Sequence, residues 1–242
     1  MKNVLVIGAT GDVGQGICAA LLDSGYRVIG AGRSLEKLDA LKKRLLSHGS
    51  MAILPGSVST EADAKLLCNA AKQMIETLDC VITSVNLKLG RMPLLQRNPE
   101  DLSTHLQGNL IPHFIAAKTF IPSITDGGTY LAIGGGMADM IVPGNGLATI
   151  AQAGQRNMLR MIAREARGGP VQIRELLLYS PITGESNRVG ADPAWFTDDE
   201  CGRHVVAVLS QPDLYPGPIL ALKSKDQVGK PEPQAQTAIK QA

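Results

Sequence analysis

Residues 1–16 read MKNVLVIGATGDVGQG, and this stretch decides the fold. Val4 to Ile7 is an uninterrupted aliphatic run, the pattern of a strand buried on both faces and so of a central strand in a parallel sheet. Gly8, Gly11 and Gly14 follow at a spacing of three, and a helical pattern then begins with Ile17, Leu21 and Leu22. A strand, a glycine turn and a helix N-terminus together make a phosphate site. The glycines admit a ligand close to the backbone, and the unpaired N–H groups of the first helical turn point at it. Gly8, Thr10, Gly11, Asp12, Val13 and Gly14 are therefore candidates to hold a dinucleotide pyrophosphate. A glycine-rich turn with no ligand is the competing reading, and the position between a buried strand and a helix argues against it.

Moving outward, Arg27 to Ala31 reads as a second strand that ends in Gly32, Arg33 and Ser34. The adenosine ribose of a dinucleotide lies at the end of this strand in a doubly wound fold. An acidic residue there would bind the ribose hydroxyls of NAD. Arg33 beside Ser34 instead suits a 2′-phosphate through forked, charge-assisted contacts, so NADP(H) is the expected cofactor. A helix is expected over 35–46. Further strands are expected at Met51–Leu54, Leu78–Ser84, Thr129–Ile133, Gln172–Leu178 and Ile219–Leu222, and further helices at 60–75, 99–118, 147–166 and 198–209. Pro112 removes a backbone donor inside the fourth helix and is expected to bend or loosen it. Seven strands alternating with six helices predict an α/β, Rossmann-type doubly wound parallel sheet in a single domain, residues 1–223. Residues 180–197 are expected to be an irregular loop over the substrate, and 224–242 a loose polar tail.

Composition narrows the function classes. The chain has 242 residues, 44% of them hydrophobic and only 3% aromatic, so the core is aliphatic. A net charge of +2 with scattered basic residues gives no nucleic-acid face. Cys18, Cys68, Cys80 and Cys201 form no C-x-x-C pair, and the histidines show no metal-ligand spacing, so no metal is expected. A chain that opens in a core strand and has no apolar run of membrane length is expected to be cytoplasmic.

The chain resembles the short-chain dehydrogenase/reductase family from Lys2 to Leu222. GATGDVG is similar to that family's glycine turn, G-x-x-x-G-x-G, with Asp12 in place of the middle glycine. Ser57-Val58 occupies the place of the Asp-Val pair that touches adenine, and Thr83-Ser84-Val85-Asn86 that of the Asn-Asn-Ala-Gly run. Asn109 matches the family's helix asparagine, and Ser180-Pro181-Ile182 resembles the turn beside the nicotinamide. The resemblance implies Ser57, Val58, Asn86, Pro181 and Ile182 as cofactor contacts. It also implies a homodimer or homotetramer, paired through helices that carry Ile111, Phe114 and Ile115, and Met158, Leu159, Met161 and Ile162.

The resemblance fails at the chemistry. The family's Ser, Tyr and Lys positions fall on Gly135, Ala148 and Gln152, and there is no lysine between Lys118 and Lys223. Gln152 can still hydrogen-bond a ribose hydroxyl. Loss of a general acid costs about 10²–10⁴ in rate. Four residues are candidates for the missing proton chemistry: Asn109 from the resemblance, Tyr179 at the end of the sixth strand, Asp139, either a desolvated acid or a solvated loop aspartate, and His113 one turn after Asn109. Trp195 and Phe196 are either an apolar lid or packing for their loop. The expected function is hydride transfer from NADPH to a small organic acceptor without the usual relay. A redox-neutral isomerase, cyclase or lyase, and a non-catalytic NADPH-binding regulator, are the alternatives.

Overall fold

The computed structural model describes residues 2–232. The first unit comprises β1 (Asn3–Ile7), α1 (Asp12–Asp23), β2 (Arg27–Gly32), α2 (Leu35–Arg44) and β3 (Ala52–Pro55). It continues through α3 (Glu61–Met74) to β4 (Cys80–Thr83). The second half holds α4 (Pro99–Phe120), β5 (Thr129–Gly135), α5 (Gly146–Glu165), β6 (Gln172–Leu178), α6 (Asp198–Ser210) and β9 (Ile219–Leu222). Between β6 and α6 lie two short strands, β7 (Ile182–Thr183) and β8 (Phe196–Thr197).

Seven strands form one parallel sheet in the order β3-β2-β1-β4-β5-β6-β9. The sequence pattern explains the two faces. Val4 and Val6 turn to one side and pack with Ile17, Leu21, Val205 and Val208 of α1 and α6. Leu5 and Ile7 turn to the other and pack with residues such as Leu67 of α3, Ile115 of α4 and Leu159 of α5. The strand order reverses between β1 and β4, the place where open α/β sheets bind ligands.

Several local expectations change. β5 runs on through Gly134 and Gly135, which pair with Leu177 and Leu178, because glycine does not prevent ladder hydrogen bonds. α4 continues unbroken past Pro112. The loop over 180–197 is not wholly irregular. β7 and β8 form a parallel ladder, held because the Phe196 side chain is in the core. Of the residues on the helices expected to pair between subunits, Ile115 and Leu159 face the sheet of their own chain, whereas Phe114 and Met161 are exposed. The first part of the expected tail is packed: Lys223 pairs with Glu232 at 2.9 Å, and the Gly229 N–H donates to His204 Nδ1 at 3.2 Å. Residues 233–242 lie outside the described residues. No helix among the described residues is long and apolar enough to cross a membrane.

Candidate active site

A cleft of about 1180 Å³ opens along the carboxyl ends of the strands. Its floor begins at the glycine turn. Gly8 has φ +85°, and a Cβ there would collide with the Ser84 carbonyl at the end of β4, so this position requires glycine. The first hydrogen bond of α1 runs from the Gln15 N–H to the Gly11 carbonyl at 2.9 Å, which leaves the amides before it outside the helix ladder. Gly8, Thr10, Gly11, Asp12 and Val13 all line the cleft. Gly14 does not; it lets α1 pack against the Gly8 backbone.

At one end of the cleft Arg33 is joined by Lys37 and Arg44 of α2, two basic residues that motif reading missed. Arg44 is paired with Glu185 and with Gln15. Ser34 is not on the cleft lining. Its hydroxyl caps α2 by accepting the Lys37 N–H at 3.3 Å. Ser57 and Val58 line the cleft beside Arg33, and Ser57 also accepts the Ser59 N–H at 3.0 Å. The segment after β7 closes over the glycine turn, where Asp12 accepts the Ser186 N–H at 3.0 Å.

At the other end the cleft is bounded by Asn86, Gly134, Gly135, Gly136, Gln152, Gln155, Tyr179, Pro181, Ile182 and Trp195. The two aromatic residues of the loop divide the roles considered for them: Trp195 faces the cleft, and Phe196 packs the loop down. The Gln152 amide covers Gly135; a Cβ at Gly135 would stand 2.5 Å from Gln152 Oε1. That oxygen is buried and has no hydrogen-bond partner among the described residues.

The candidates for proton chemistry separate. Asn109 lines the cleft, but its amide is spent on backbone. Its Oδ1 accepts the Leu87 N–H at 2.9 Å, and its Nδ2 donates to the Leu87 and His105 carbonyls at 3.1 and 2.9 Å. It holds the segment after β4. His113 does not line the cleft. It is buried, its Nε2 lies 3.1 Å from the Val85 carbonyl, and burial pushes its pKa down to about 4. A ring that stays neutral at physiological pH and lies out of reach of the cleft is a support for Val85, not a relay. Asp139 is solvated, not desolvated. It accepts from Arg156 and from the Tyr179 hydroxyl, and those two hydrogen bonds hold its carboxyl below the usual range. The Tyr179 ring lines the cleft while its hydroxyl donates to Asp139. Burial, then Asp139, push the phenol up to about 12. Lys223 sits 5.6 Å from the Tyr179 ring centroid.

One further acid lies under this end of the cleft. Glu175 of β6 is 0% exposed, and neither carboxyl oxygen has a hydrogen-bond partner among the described residues. Burial pushes its pKa up to about 8, while the Gln155 amide and Arg156 pull the other way. The signal was in the sequence: one carboxylate inside the otherwise largely apolar run QIRELLL. Among the described residues there is no cluster of three metal-ligating side chains.

A doubly wound parallel sheet with a glycine turn at the switch point and a long cleft across it defines a dinucleotide-binding type of α/β protein. The short chain dehydrogenase family matches residues 2–179, and the chain belongs to that family. The serine 3-dehydrogenase of Rhizobium radiobacter is 26% identical over 126 residues, which are 51% of this chain and 49% of that one. The chain thus matches about half the length, or less, of such curated relatives. Among solved structures, a short-chain type dehydrogenase/reductase from Mycobacterium ulcerans superposes with a TM-score of 0.83 at 16% identity, covering 96% of this chain and 92% of that one. An alcohol dehydrogenase from Thermococcus sibiricus, complexed with 5-hydroxy-NADP, has a TM-score of 0.80 at 21% identity, with 93% and 97% covered.

Proposed function

We propose that this chain binds NADP(H) and transfers hydride to a small organic acceptor without the tyrosine–lysine relay usual in its family. The observation that carries the reading is the asymmetry of the cleft. Its cofactor half combines the glycine turn with Arg33 and Lys37, cations suited to a 2′-phosphate. Its reaction half has the Gln152 amide folded over Gly135.

The residues present fit a nicotinamide dinucleotide. Residues that would hold it all line the cleft: Asp12 and Val13 at the start of α1 toward a pyrophosphate, Arg33 and Lys37 toward an adenosine phosphate, and Pro181, Ile182 and Gln152 toward a nicotinamide. When bound, the nicotinamide supplies the hydride. Gln152 offers a hydrogen bond but no charge. Tyr179 is a weak acid in this setting, because losing its proton would leave a phenolate beside the Asp139 carboxylate. Acceptors that delocalise the developing charge, such as a conjugated enone or a quinone, therefore suit this site better than simple ketones.

The test is binding followed by turnover. NADPH should bind with a dissociation constant in the micromolar range, about −7 to −8 kcal/mol, and more tightly than NADH. Simple secondary alcohols should not be oxidised with NADP⁺. Robust turnover of an ordinary alcohol panel, or tighter binding of NADH, overturns the reading.

A further inference from the structure

Glu175 is not used by the reading above, and its surroundings are unusual. Its carboxyl lies against Gly134, with the carboxyl carbon 3.1 Å from where a Cβ on that glycine would stand. Gly134 is itself part of the cleft lining, as is Gln155 on the other side. The carboxyl thus packs behind Gly134, where a side chain at residue 134 would displace it; Glu175 itself does not line the cleft. Buried carboxyls are ordinarily hydrogen-bonded. This one is 0% exposed, and neither oxygen meets hydrogen-bond geometry among the described residues, because the nearby Gln155 amide, close enough to lower its pKa, donates to the Ile133 carbonyl at 3.1 Å. The groups that face it are few. Arg156 and Gln155 come from α5, Tyr130 from β5, and the residue before β9 contributes the Pro218 carbonyl, which accepts the Glu175 N–H at 2.7 Å. Arg156 is already engaged by Asp139, and the Tyr130 hydroxyl by Thr83 at 3.1 Å.

We propose that Glu175 is a proton store linked to the charge of the cofactor, protonated when the cleft holds reduced NADPH and ionised when it holds oxidised NADP⁺. The inference rests on the cofactor reading given above. The physical reason is Coulombic. The oxidised nicotinamide ring carries a positive charge and the reduced ring does not. A cation placed over a buried acid favours ionisation of that acid. The acid is then strengthened by the event that requires a proton. In that step the carboxyl O–H bond breaks and its electron pair stays on the carboxylate. The proton passes to water, not directly to the acceptor, because Glu175 does not line the cleft, and water returns a proton once NADPH replaces NADP⁺. Burial pushes the carboxyl's pKa up to about 8, which sets the range in which the linkage is visible.

The experiment measures proton uptake and release on binding, so it needs no substrate. Titration calorimetry of each cofactor is run near pH 7 in buffers of different ionisation enthalpy. Wild-type protein should release up to one proton per NADP⁺ beyond whatever accompanies NADPH. Its NADP⁺ affinity should rise with pH, by at most tenfold per unit, relative to its NADPH affinity. Titration of the 2′-phosphate is common to both cofactors and cancels in this comparison. Glu175→Gln should bind both cofactors with no difference in proton count. An equal proton count for NADP⁺ and NADPH in wild type, or the same difference in Glu175→Gln, overturns the proposal. Should the variant not fold, infrared difference spectra of the wild type decide: the band of a protonated carboxyl must be lost on NADP⁺ binding and kept on NADPH binding. Failure of both cofactors to bind overturns the cofactor reading, and this proposal with it. Normal binding without the proton difference overturns this proposal alone.

Discussion

Replacing Glu175 by Gln should remove a large pH dependence of stability. The carboxyl is 0% exposed, and burial raises its pKa from 4.5 to about 8. Below pH 4.5 the folded and unfolded chains both hold the proton, and the stability associated with the neutral group is fully present. Above that, the unfolded chain gives up its proton while the folded chain cannot, so stability falls by about 1.4 kcal/mol per pH unit. The loss amounts to about 3 kcal/mol by pH 7 and about 4 kcal/mol by pH 8, and it levels off at about 5 kcal/mol above that. This is comparable with the whole stability of many domains, roughly 5–15 kcal/mol. The carboxamide has the same shape and does not titrate. His105, His113 and His204 act in the opposite sense, because burial lowers their pKa values and their contribution is lost as pH falls below 6.5. Neither protein alone therefore reports on Glu175, but the difference between them does, since the histidines are common to both. Urea unfolding at pH 4.5, 6, 7 and 8 should show Glu175→Gln gaining on wild type by about 3 kcal/mol between pH 4.5 and 7. A difference that stays constant within about 0.5 kcal/mol over that range would refute the reasoning.

Three other outcomes are expected. Gly135→Ser should destabilise by about 1–3 kcal/mol, because its Cβ would stand 2.5 Å from Gln152 Oε1, and adding Gln152→Ala should recover most of the loss; additive losses in urea unfolding would contradict the contact. Arg33→Ala should weaken NADPH roughly 10–100-fold by fluorescence titration and leave NADH nearly unchanged; equal loss for both would exclude a 2′-phosphate contact. Light scattering at micromolar concentration should give a dimer or tetramer mass, with the exposed Phe114 and Met161 at the contact, and Met161→Asp should lower it; a monomer mass for wild type would remove the assembly proposal.

The fold and the lining of the glycine-turn end of the cleft were legible because their signals are local. The aliphatic run and the glycine spacing are neighbours in the chain, and the arginine lies at the end of the very next strand. Gly8, Thr10, Gly11, Asp12, Val13, Arg33, Ser57 and Val58 accordingly all line one cleft. The reaction half was not legible, because its properties belong to neighbours distant in sequence. His113 had the right helix face relative to Asn109, but only the packing of α4 under Val85 shows that its ring is buried and neutral. The sequence leaves Asp139 open between a desolvated acid and a solvated loop aspartate, and only its exposure beside Arg156 and Tyr179 shows the second. Ser34 was read as a phosphate contact, and the turn into α2 uses it as a cap. Glu175 carried a sequence signal, a charge in a buried strand, yet nothing along the chain says whether such a charge finds a partner. The ionisation state of a side chain depends on solvent exposure and on charges brought close by folding. Strand and turn identity depends on residues next to one another. The sequence by itself therefore determined the sheet and the glycine-turn end of the cleft, and only the tertiary structure decided which acids near it hold their protons.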